Sequence, residues 1–282
     1  MACLFPVGMY KNDGKLTLRP CGMCKKCRLE SAKEWSVRIM HEASMHKENC
    51  FLTLTFNDQN LPEDGSIRKK DIVSFMKRLR KKLYPKKIRF YACGEYGDKK
   101  FRPHYHILIF GYNFPDREIF KAIKKGKTEY FIYTSKFLQS LWKFGFTTTA
   151  DLNYQTAAYT ARYVRKKITG NSEHAQQIKK ERYGNKSQEF ALMSRMPGIG
   201  QKWFNEYGHD VYPKDFLTIN GCKFKPPRYY DSLYARKNPH KFQIIKQKRE
   251  ERTELAFPEE SESINQNKYY EKLTQTLERI IE

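Results

Sequence analysis

Short apolar runs that end at turn residues alternate along the chain with stretches of helical periodicity. Residues 51–56, 88–95 and 104–110 are rich in Phe, Tyr, Ile, Leu and Thr, which predicts buried strands. Residues 26–46 and 68–84 repeat their apolar residues three and four positions apart, which predicts helices that pack on those strands. Because strands and helices follow one another irregularly, the pattern predicts an α+β fold.

The later segments are less regular. Residues 116–125 and 134–144 are predicted to be helices, and residues 145–152 a strand rich in Thr and Phe. Asn220-Gly221 between two apolar runs predicts a small hairpin. Residues 231–282 are charged with mixed sign and are interpreted as a peripheral helix or a partly disordered tail.

His104 and His106 lie two residues apart in a predicted strand. Alternate residues of a strand face the same side, so both imidazoles could bind one metal ion. The preceding strand ends at Glu95, and a turn over residues 96–100 predicts a hairpin that brings this carboxylate beside them, with Asp98 as the nearest substitute. Such a set suits a hard or borderline divalent ion with positions open for phosphate oxygens. Core histidines and a simple hairpin-end carboxylate are the alternative interpretation.

The helix predicted at about residues 155–169 has two chemically different faces. Tyr159 and Tyr163 share one face with basic residues, and a tyrosine hydroxyl beside cations is suited to attack or hold a phosphodiester. Lys166 and Lys167 are predicted to hold phosphates or to lower the pKa of a tyrosine, although simple surface lysines fit the pattern equally well. The opposite face carries small or apolar residues: Ala157, Ala161, Val164 and Ile168.

Four cysteines near the start of the chain have metal-ligand spacing: Cys3, Cys21, Cys24 and Cys27. A CxxCxxC turn can aim its thiolates at one point, and Cys3 can return as the fourth ligand of a structural zinc site. An iron–sulfur cluster also uses closely spaced cysteines, and free thiols near a helix start are the third interpretation. The odd total of seven cysteines argues against a disulfide scaffold, so a reducing interior is expected.

Charge is the strongest feature of the composition. The chain has 54 Lys and Arg against 31 Asp and Glu, a net charge of +23 that implies a polyanionic partner. Basic and aromatic residues are interleaved, as in Arg89-Phe90-Tyr91, which suits single-stranded nucleic acid. The basic helix at residues 68–84 is a candidate DNA-facing surface or a solvated face.

Several classes of protein are not expected from this sequence. An apolar run of about 18 residues is absent, so no membrane span is expected. The first residues lack a basic region followed by an apolar core, so no secretory signal is expected. The pattern GxxxxGK[ST] does not occur, so no nucleotide-driven helicase motor is expected.

Paired histidines on a strand, followed by paired tyrosines on a basic helix, resemble the two-tyrosine class of HUH endonucleases. The motif sequences are most similar to those of replication initiators of gokushovirus-type microviruses, and the resemblance covers roughly residues 1–230. Besides the cysteine cluster, the motifs in chain order are Phe51–Thr55, Gly94–Gly97, Arg102–His106, Tyr159–Lys167, Pro197–Gly200 and Tyr212-Pro213.

The resemblance implies an RRM-like, five-stranded antiparallel sheet with helices packed on its faces. It also implies Mg²⁺ or Mn²⁺ held by His104, His106 and Glu95, and nicking and rejoining of viral origin DNA through a 5′-phosphotyrosine in rolling-circle replication. Work in the cytoplasm of a bacterial host, with host helicase and polymerase as partners, is expected. The rival interpretations are a non-catalytic single-stranded nucleic-acid-binding protein and a relaxase or transposase of the same chemistry.

Four segments are expected. Residues 1–50 carry the cysteine cluster and the first helix, and residues 51–170 form the endonuclease core. Residues 171–230 form an accessory subregion that begins with a polar, mobile or helical insert and is predicted to line a DNA channel. Residues 231–282 form a charged peripheral tail.

Overall fold

The computed structural model of the protein describes residues 3, 5–10, 14, 16–22, 24–97, 100–125, 128–166, 173–212, 214–219 and 221–254. Within these residues the chain forms helices and strands in irregular alternation. The helices are α1 (Lys25–Ser44), α2 (Lys69–Leu83), α3 (Lys136–Leu141), α4 (Tyr154–Lys166), α5 (Glu173–Tyr183), α6 (Gln201–Val211), α7 (Arg228–Lys237) and α8 (Pro239–Glu254). The strands are β1 (Val7–Tyr10), β2 (Leu16–Arg19), β3 (Asn49–Thr55), β4 (Arg89–Tyr96), β5 (Pro103–Phe110), β6 (Arg117–Lys125), β7 (Thr128–Ser135), β8 (Thr147–Asp151), β9 (Phe190–Met193), β10 (Leu217–Ile219) and β11 (Cys222–Phe224).

One antiparallel sheet organises the described part of the chain. Its strand order is β6-β7-β8-β3-β5-β4-β9, and each neighbouring pair runs antiparallel. The central strands β3, β5 and β4 include the FLTLT run and both arms of the predicted hairpin. The α+β class and the antiparallel sheet are confirmed, with seven strands in this sheet where five were expected.

The hairpin of β6 and β7 corrects the prediction of a helix over residues 116–125. β6 pairs with β7 from Arg117 opposite Ser135 to Lys125 opposite Thr128, and β7 continues onto β8. Pairing with a strand rich in Tyr, Phe, Ile and Thr outweighs the helical pattern of the local sequence. The helix predicted over residues 134–144 is reduced to α3, because residues 134 and 135 belong to β7.

The two faces of the sheet are covered by different helices. Leu52 of β3 and Ile107 of β5 belong to a hydrophobic cluster that also includes buried residues of α2 and α3. Leu108 of β5 packs in a second cluster with Ile39 of α1 and Ala157 of α4. Since successive strand residues alternate between faces, α2 and α3 cover one face and α1 and α4 cover the other.

Elements outside the central strands agree with some expectations and add others. The hairpin predicted at Asn220-Gly221 is present as β10 and β11, although residue 220 itself lies outside the described residues. The polar insert contains α5, and β9 follows it and pairs with β4 at the sheet edge. The paired strands β1 and β2 were not predicted.

The chain divides into two compact units, Met1–Tyr207 and Gly208–Glu282. In the second unit, Arg249 of α8 donates hydrogen bonds to Asp215 and to Asp231, which itself accepts a hydrogen bond from the Tyr212 hydroxyl at 2.9 Å. Residues 255–282 of the expected tail lie outside the described residues. The division into four functional segments stays a prediction.

A search of the described helices for one long and apolar enough to cross a membrane finds none.

Candidate metal centre and tyrosine helix

The β4–β5 hairpin brings the three predicted metal ligands together. Glu95 lies directly opposite His104 in the ladder, and His106 follows two residues along the same strand. At the turn, the backbone N–H of Gly97 donates a hydrogen bond to the carbonyl oxygen of Arg102 at 3.0 Å. All three side chains project from the sheet face that α1 and α4 cover, because they alternate with the residues packed under α2.

The two imidazoles converge on one carboxylate oxygen. His104 Nε2 lies 2.6 Å and His106 Nε2 lies 2.8 Å from Oε1 of Glu95. The candidate ligand atoms of the three residues all lie within 4.8 Å of one another. Glu95 and His106 are buried, whereas the His104 side chain is 17% exposed. The cluster is therefore closed around Glu95 and accessible beside His104.

Both imidazoles are oriented by a second hydrogen-bond partner. His104 Nδ1 lies 3.1 Å from the carbonyl oxygen of Arg102, and because a carbonyl only accepts, this nitrogen carries a proton. His106 Nδ1 lies 3.1 Å from the hydroxyl oxygen of Thr53. A neutral His104 then turns the lone pair of Nε2 toward the Glu95 carboxylate. A second proton or a shared cation is needed to make that contact favourable.

Glu95 has the charge and the open oxygen that a metal ligand needs. Burial by itself would raise the pKa of its carboxyl, but the charges and hydrogen bonds of His106 and His104 hold the pKa below its usual value. Its second oxygen, Oε2, is buried and has no hydrogen-bond partner among the described residues. An orphaned carboxylate oxygen beside two imidazole nitrogens fits a borderline or hard divalent ion.

Tyr159 of α4 reaches the same cluster. Its hydroxyl lies 3.4 Å from His106 Nε2, and its ring meets the His106 ring edge-on, with centroids 5.0 Å apart. Phe51 stacks on the other side of His106 at 5.2 Å. Ala157 and Ala161 are fully buried on the opposite face of α4, as the helical pattern predicted. These small side chains let α4 pack closely enough to place the phenol at the histidines.

The other predicted residues of this helix are only partly described. The backbone of α4 includes Tyr163 and Lys166, one and nearly two turns after Tyr159, but their side chains lie outside the described part. Lys167 and Asp98 lie outside the described residues altogether. The roles of Tyr163, Lys166 and Lys167 stay predictions.

Two contributors to the centre, Thr53 and Phe51, were predicted only as parts of a core strand. Thr53 lies opposite His106 in the β3–β5 ladder. The alternation of the FLTLT run was the available signal, because it places Phe51, Thr53 and Thr55 on one face. Only the register of β3 against β5 assigns Thr53 to the histidine.

A buried ion-pair network beside α1 was also missed. Glu42 is 1% exposed, pairs with Arg89, and accepts a hydrogen bond from the backbone N–H of Gly200 at 2.7 Å. Arg89 in turn donates to the carbonyl oxygen of Pro197 at 2.6 Å. The network fixes the Pro197–Gly200 turn to α1 and β4. The sequence gives no signal for it, because its members are far apart in the chain.

The four predicted cysteines also lie together. Their sulfur atoms are all within 4.8 Å of one another, immediately before and within the first turn of α1.

Comparison with known proteins places the centre in a replication context. The family model of the replication-associated protein ORF2 matches residues 49–168, which include the candidate ligands and the tyrosines. The chain is 36% identical to the replication-associated protein ORF2 of Spiroplasma virus 4 over 245 residues, covering 82% of this chain and 72% of that protein. It is 32% identical to the replication-associated protein VP4 of Bdellovibrio phage phiMH2K over 231 residues, covering 79% and 69% respectively.

A third relative is the replication-associated protein ORF4 of Chlamydia phage 1, which is 32% identical over 218 residues, covering 76% of this chain and 53% of that protein. No solved structure matches the chain significantly.

Proposed function

The chain belongs to the family of phage replication-associated proteins, and we propose that it initiates rolling-circle replication by nicking and rejoining one strand of viral origin DNA. The observation that carries this proposal is the position of the Tyr159 hydroxyl, 3.4 Å from His106 Nε2 in the His–His–Glu cluster. A nucleophile beside a group of metal ligands, in a strongly basic protein, is the arrangement that phosphodiester cleavage requires.

His104, His106 and Glu95 would hold the ion, Mg²⁺ or Mn²⁺. When bound, such an ion acts as a Lewis acid that polarises an oxygen of the scissile phosphate. The buried carboxylate and the two oriented imidazoles keep the ligand set assembled before DNA arrives, so little reorganisation is needed on binding.

Tyr159 would supply the nucleophile. Its phenolic oxygen forms a bond to phosphorus while the bond between phosphorus and the 3′ oxygen breaks. The phenol gives up its proton to solvent, and the leaving oxygen takes up a proton to become a 3′-hydroxyl. The 5′ side of the DNA is left as a phosphotyrosine, which preserves a phosphoester for later rejoining.

Tyr163 would serve a second round on the same helix. One tyrosine keeps the 5′ end while the other cuts the regenerated origin, and the free 3′-hydroxyl then attacks the first phosphotyrosine. That attack forms the new phosphodiester and releases the tyrosine. Lys166 and Lys167 would hold phosphates during the exchange.

The cluster weighs against a purely binding role. A single-strand-binding protein accounts for the net charge of +23 and the interleaved aromatic residues. It does not account for a buried carboxylate with an orphaned oxygen beside two imidazoles and a phenol. A relaxase or transposase would share this chemistry, and the similarity to phage replication proteins over about four fifths of the chain favours the initiator.

The test is covalent capture of DNA. Labelled single strands that tile the viral genome are incubated with the protein and Mn²⁺ and separated on a denaturing gel. We expect one strand to give a protein–DNA band that needs Mn²⁺ and that disappears in His104→Ala and in the double variant Tyr159→Phe/Tyr163→Phe. Single tyrosine variants then show which hydroxyl makes the first cut, and we expect Tyr159→Phe to remove it.

Tyr84→Phe is the matched control, because Tyr84 is 86% exposed beyond the end of α2, on the other side of the sheet. It should form the adduct as the unmodified protein does. Tight binding of every strand with no metal-dependent adduct would replace the proposal with the binding-protein function.

Host partners and compartment follow from the same proposal. The sequence has no GxxxxGK[ST] motif, so strand separation would be supplied by a host helicase and synthesis by a host polymerase, in the cytoplasm of the bacterial host. Capture of a helicase from host lysate by the DNA-linked protein, and not by Tyr159→Phe/Tyr163→Phe, is the expected result.

A further inference from the structure

Four cysteine sulfurs meet at the start of α1, away from the His–His–Glu cluster in the chain. Cys24 caps the helix with an extended backbone, and Cys27 lies one turn on, so both point to the same side. Cys3 Sγ lies 3.8 Å from Cys24 Sγ and 3.5 Å from Cys27 Sγ. With Cys21, the four sulfurs are all within 4.8 Å of one another.

These distances fit four ligands on one ion. A Zn–S bond of about 2.3 Å in a tetrahedral site places the sulfurs about 3.8 Å apart. A disulfide needs about 2.05 Å between sulfurs, and none of these four cysteines is in a disulfide. In an iron–sulfur cube each cysteine binds a different iron, so its sulfurs spread wider than the ligands of a single ion.

The surrounding backbone is arranged to stabilise negative sulfur. The N–H of Cys21 donates to Cys3 Sγ at 3.2 Å, and the N–H of Cys24 donates to Cys21 Sγ at 3.2 Å. The first turn of α1 carries no acidic residue, so its positive end is not neutralised by a side chain of its own. Donors aimed at sulfur favour thiolates, which are the form that binds metal.

We propose that Cys3, Cys21, Cys24 and Cys27 bind one structural Zn²⁺ ion. Four protein ligands close the coordination shell, so this ion does not take part in strand cleavage. It would clamp the segment between Cys3 and Cys21, which contains the β1–β2 hairpin, onto the first turn of α1. Because α1 packs against α4, the same clamp would support the helix that carries Tyr159.

The experiment measures metal in the purified full chain. Elemental analysis is done in a His104→Ala/His106→Ala background, so that zinc held by the other cluster is not counted. We expect about one equivalent of zinc, retained in Cys222→Ser and lost in Cys24→Ser and in Cys27→Ser, because a closed zinc site needs all four ligands. Cys222 is an exposed cysteine outside the cluster and is the matched control.

Cobalt exchange gives a readout that does not depend on variants folding. Replacing the ion with Co²⁺ should give the visible d–d bands and near-ultraviolet sulfur-to-metal bands of a tetrahedral tetrathiolate site, and these bands should be unchanged in the double histidine variant. Iron in place of zinc, less than about one tenth of an equivalent of any metal, or cobalt bands that vanish with the histidines would each overturn the proposal. None of these outcomes bears on covalent nicking, so the two proposals fail separately.

Discussion

His106 is restrained by four different neighbours. Thr53 lies at its Nδ1, Glu95 at its Nε2, Phe51 stacks on its ring, and Tyr159 meets the ring edge-on. Such contacts fix both the plane of an imidazole and the nitrogen that faces the ligand position. The geometry of the candidate metal centre therefore depends on side chains that do not themselves bind the ion.

Thr53→Val tests this dependence. Loss of the hydroxyl removes the partner of His106 Nδ1, and we expect metal affinity to fall by about 10–100-fold, as for other partners of metal-binding histidines. The Mn²⁺ concentration that gives half-maximal adduct formation, together with direct Mn²⁺ titration by calorimetry, measures the effect. Thr55→Val is the control, because the Thr55 hydroxyl donates to the carbonyl of Phe146 and not to a histidine. Equal Mn²⁺ affinity in both variants would contradict the assigned role.

His41 of α1 makes the folded chain sensitive to acid. It is buried against Trp203, with ring centroids 3.4 Å apart, and burial lowers the pKa of its imidazole from 6.5 to about 3. Above pH 6.5 the ring is neutral in both the folded and the unfolded chain. As the pH falls below 6.5, only the unfolded chain takes up the proton, so stability is lost at up to about 1.4 kcal/mol per pH unit until the pH nears 3.

His41→Gln isolates this contribution. The variant should be less stable than the unmodified protein at about pH 7.5, because the stacking on Trp203 is lost. The difference in the free energy of unfolding should shrink as the pH is lowered from 6.5, since Gln does not titrate. Denaturant unfolding at half-unit pH steps gives this difference directly. A difference that stays constant down to about pH 4.5 would show that His41 is protonated in the folded chain.

At the scale of elements, the centre depends on how strands are joined on either side of β3. The loop that leads into β8 approaches β3 so closely that Phe146 N–H donates to the carbonyl oxygen of Thr55, which also accepts from Trp142 Nε1. A Cβ at Gly145 would lie 2.3 Å from that carbonyl oxygen and 2.4 Å from the backbone nitrogen of Asn57. Only glycine fits between these two backbones.

Gly145→Ala should therefore destabilise the protein by about 3 kcal/mol or more, because backbone atoms cannot move aside as a flexible side chain can. The shift in the urea midpoint at unchanged slope measures the loss. Gly97→Ala is the control, since a Cβ there would meet its nearest neighbour, the His104 ring, at an ordinary 3.5 Å. Similar stability of the two variants would show that the β3–β8 junction is looser than its contacts indicate.

At the scale of the whole molecule, a net charge of +23 has to be distributed over a sheet with two covered faces. The basic helix α2 packs on the face opposite the His–His–Glu cluster, and its lysines, such as Lys81, point to solvent. α4 carries Tyr159 on the face of the cluster. A strand short enough to occupy only the cluster would therefore meet the charges of α4 and not those of α2.

Salt dependence separates these two sets of charges. For a short single strand, each phosphate contact adds about 0.7 to the slope of log affinity against log salt concentration. We expect Lys166→Gln to reduce the slope by about 0.7 and Lys81→Gln, which removes the same charge from α2, to leave it unchanged. Fluorescence anisotropy at several salt concentrations measures both slopes. A reduction confined to Lys81→Gln would instead identify α2 as the DNA-facing surface.

The sequence by itself determined the family and the local chemistry. The relatives confirm the resemblance to microvirus replication initiators. Period-two spacing put His104 and His106 on one side of a strand, and the short connection from Glu95 predicted the hairpin that the structure contains. Helical spacing separated the buried alanines of α4 from Tyr159. These features were predictable because they depend on the geometry of residues close together in the chain.

Only the tertiary structure decided which distant residues meet. It placed the hydroxyl of Thr53 on His106, joined Glu42 to Gly200 and extended the sheet with the β6–β7 hairpin. It also showed that the four cysteine sulfurs converge. Strand register, buried ion pairs and shared ligand sites are set by packing between segments that are far apart in sequence, and local periodicity contains no record of those pairings.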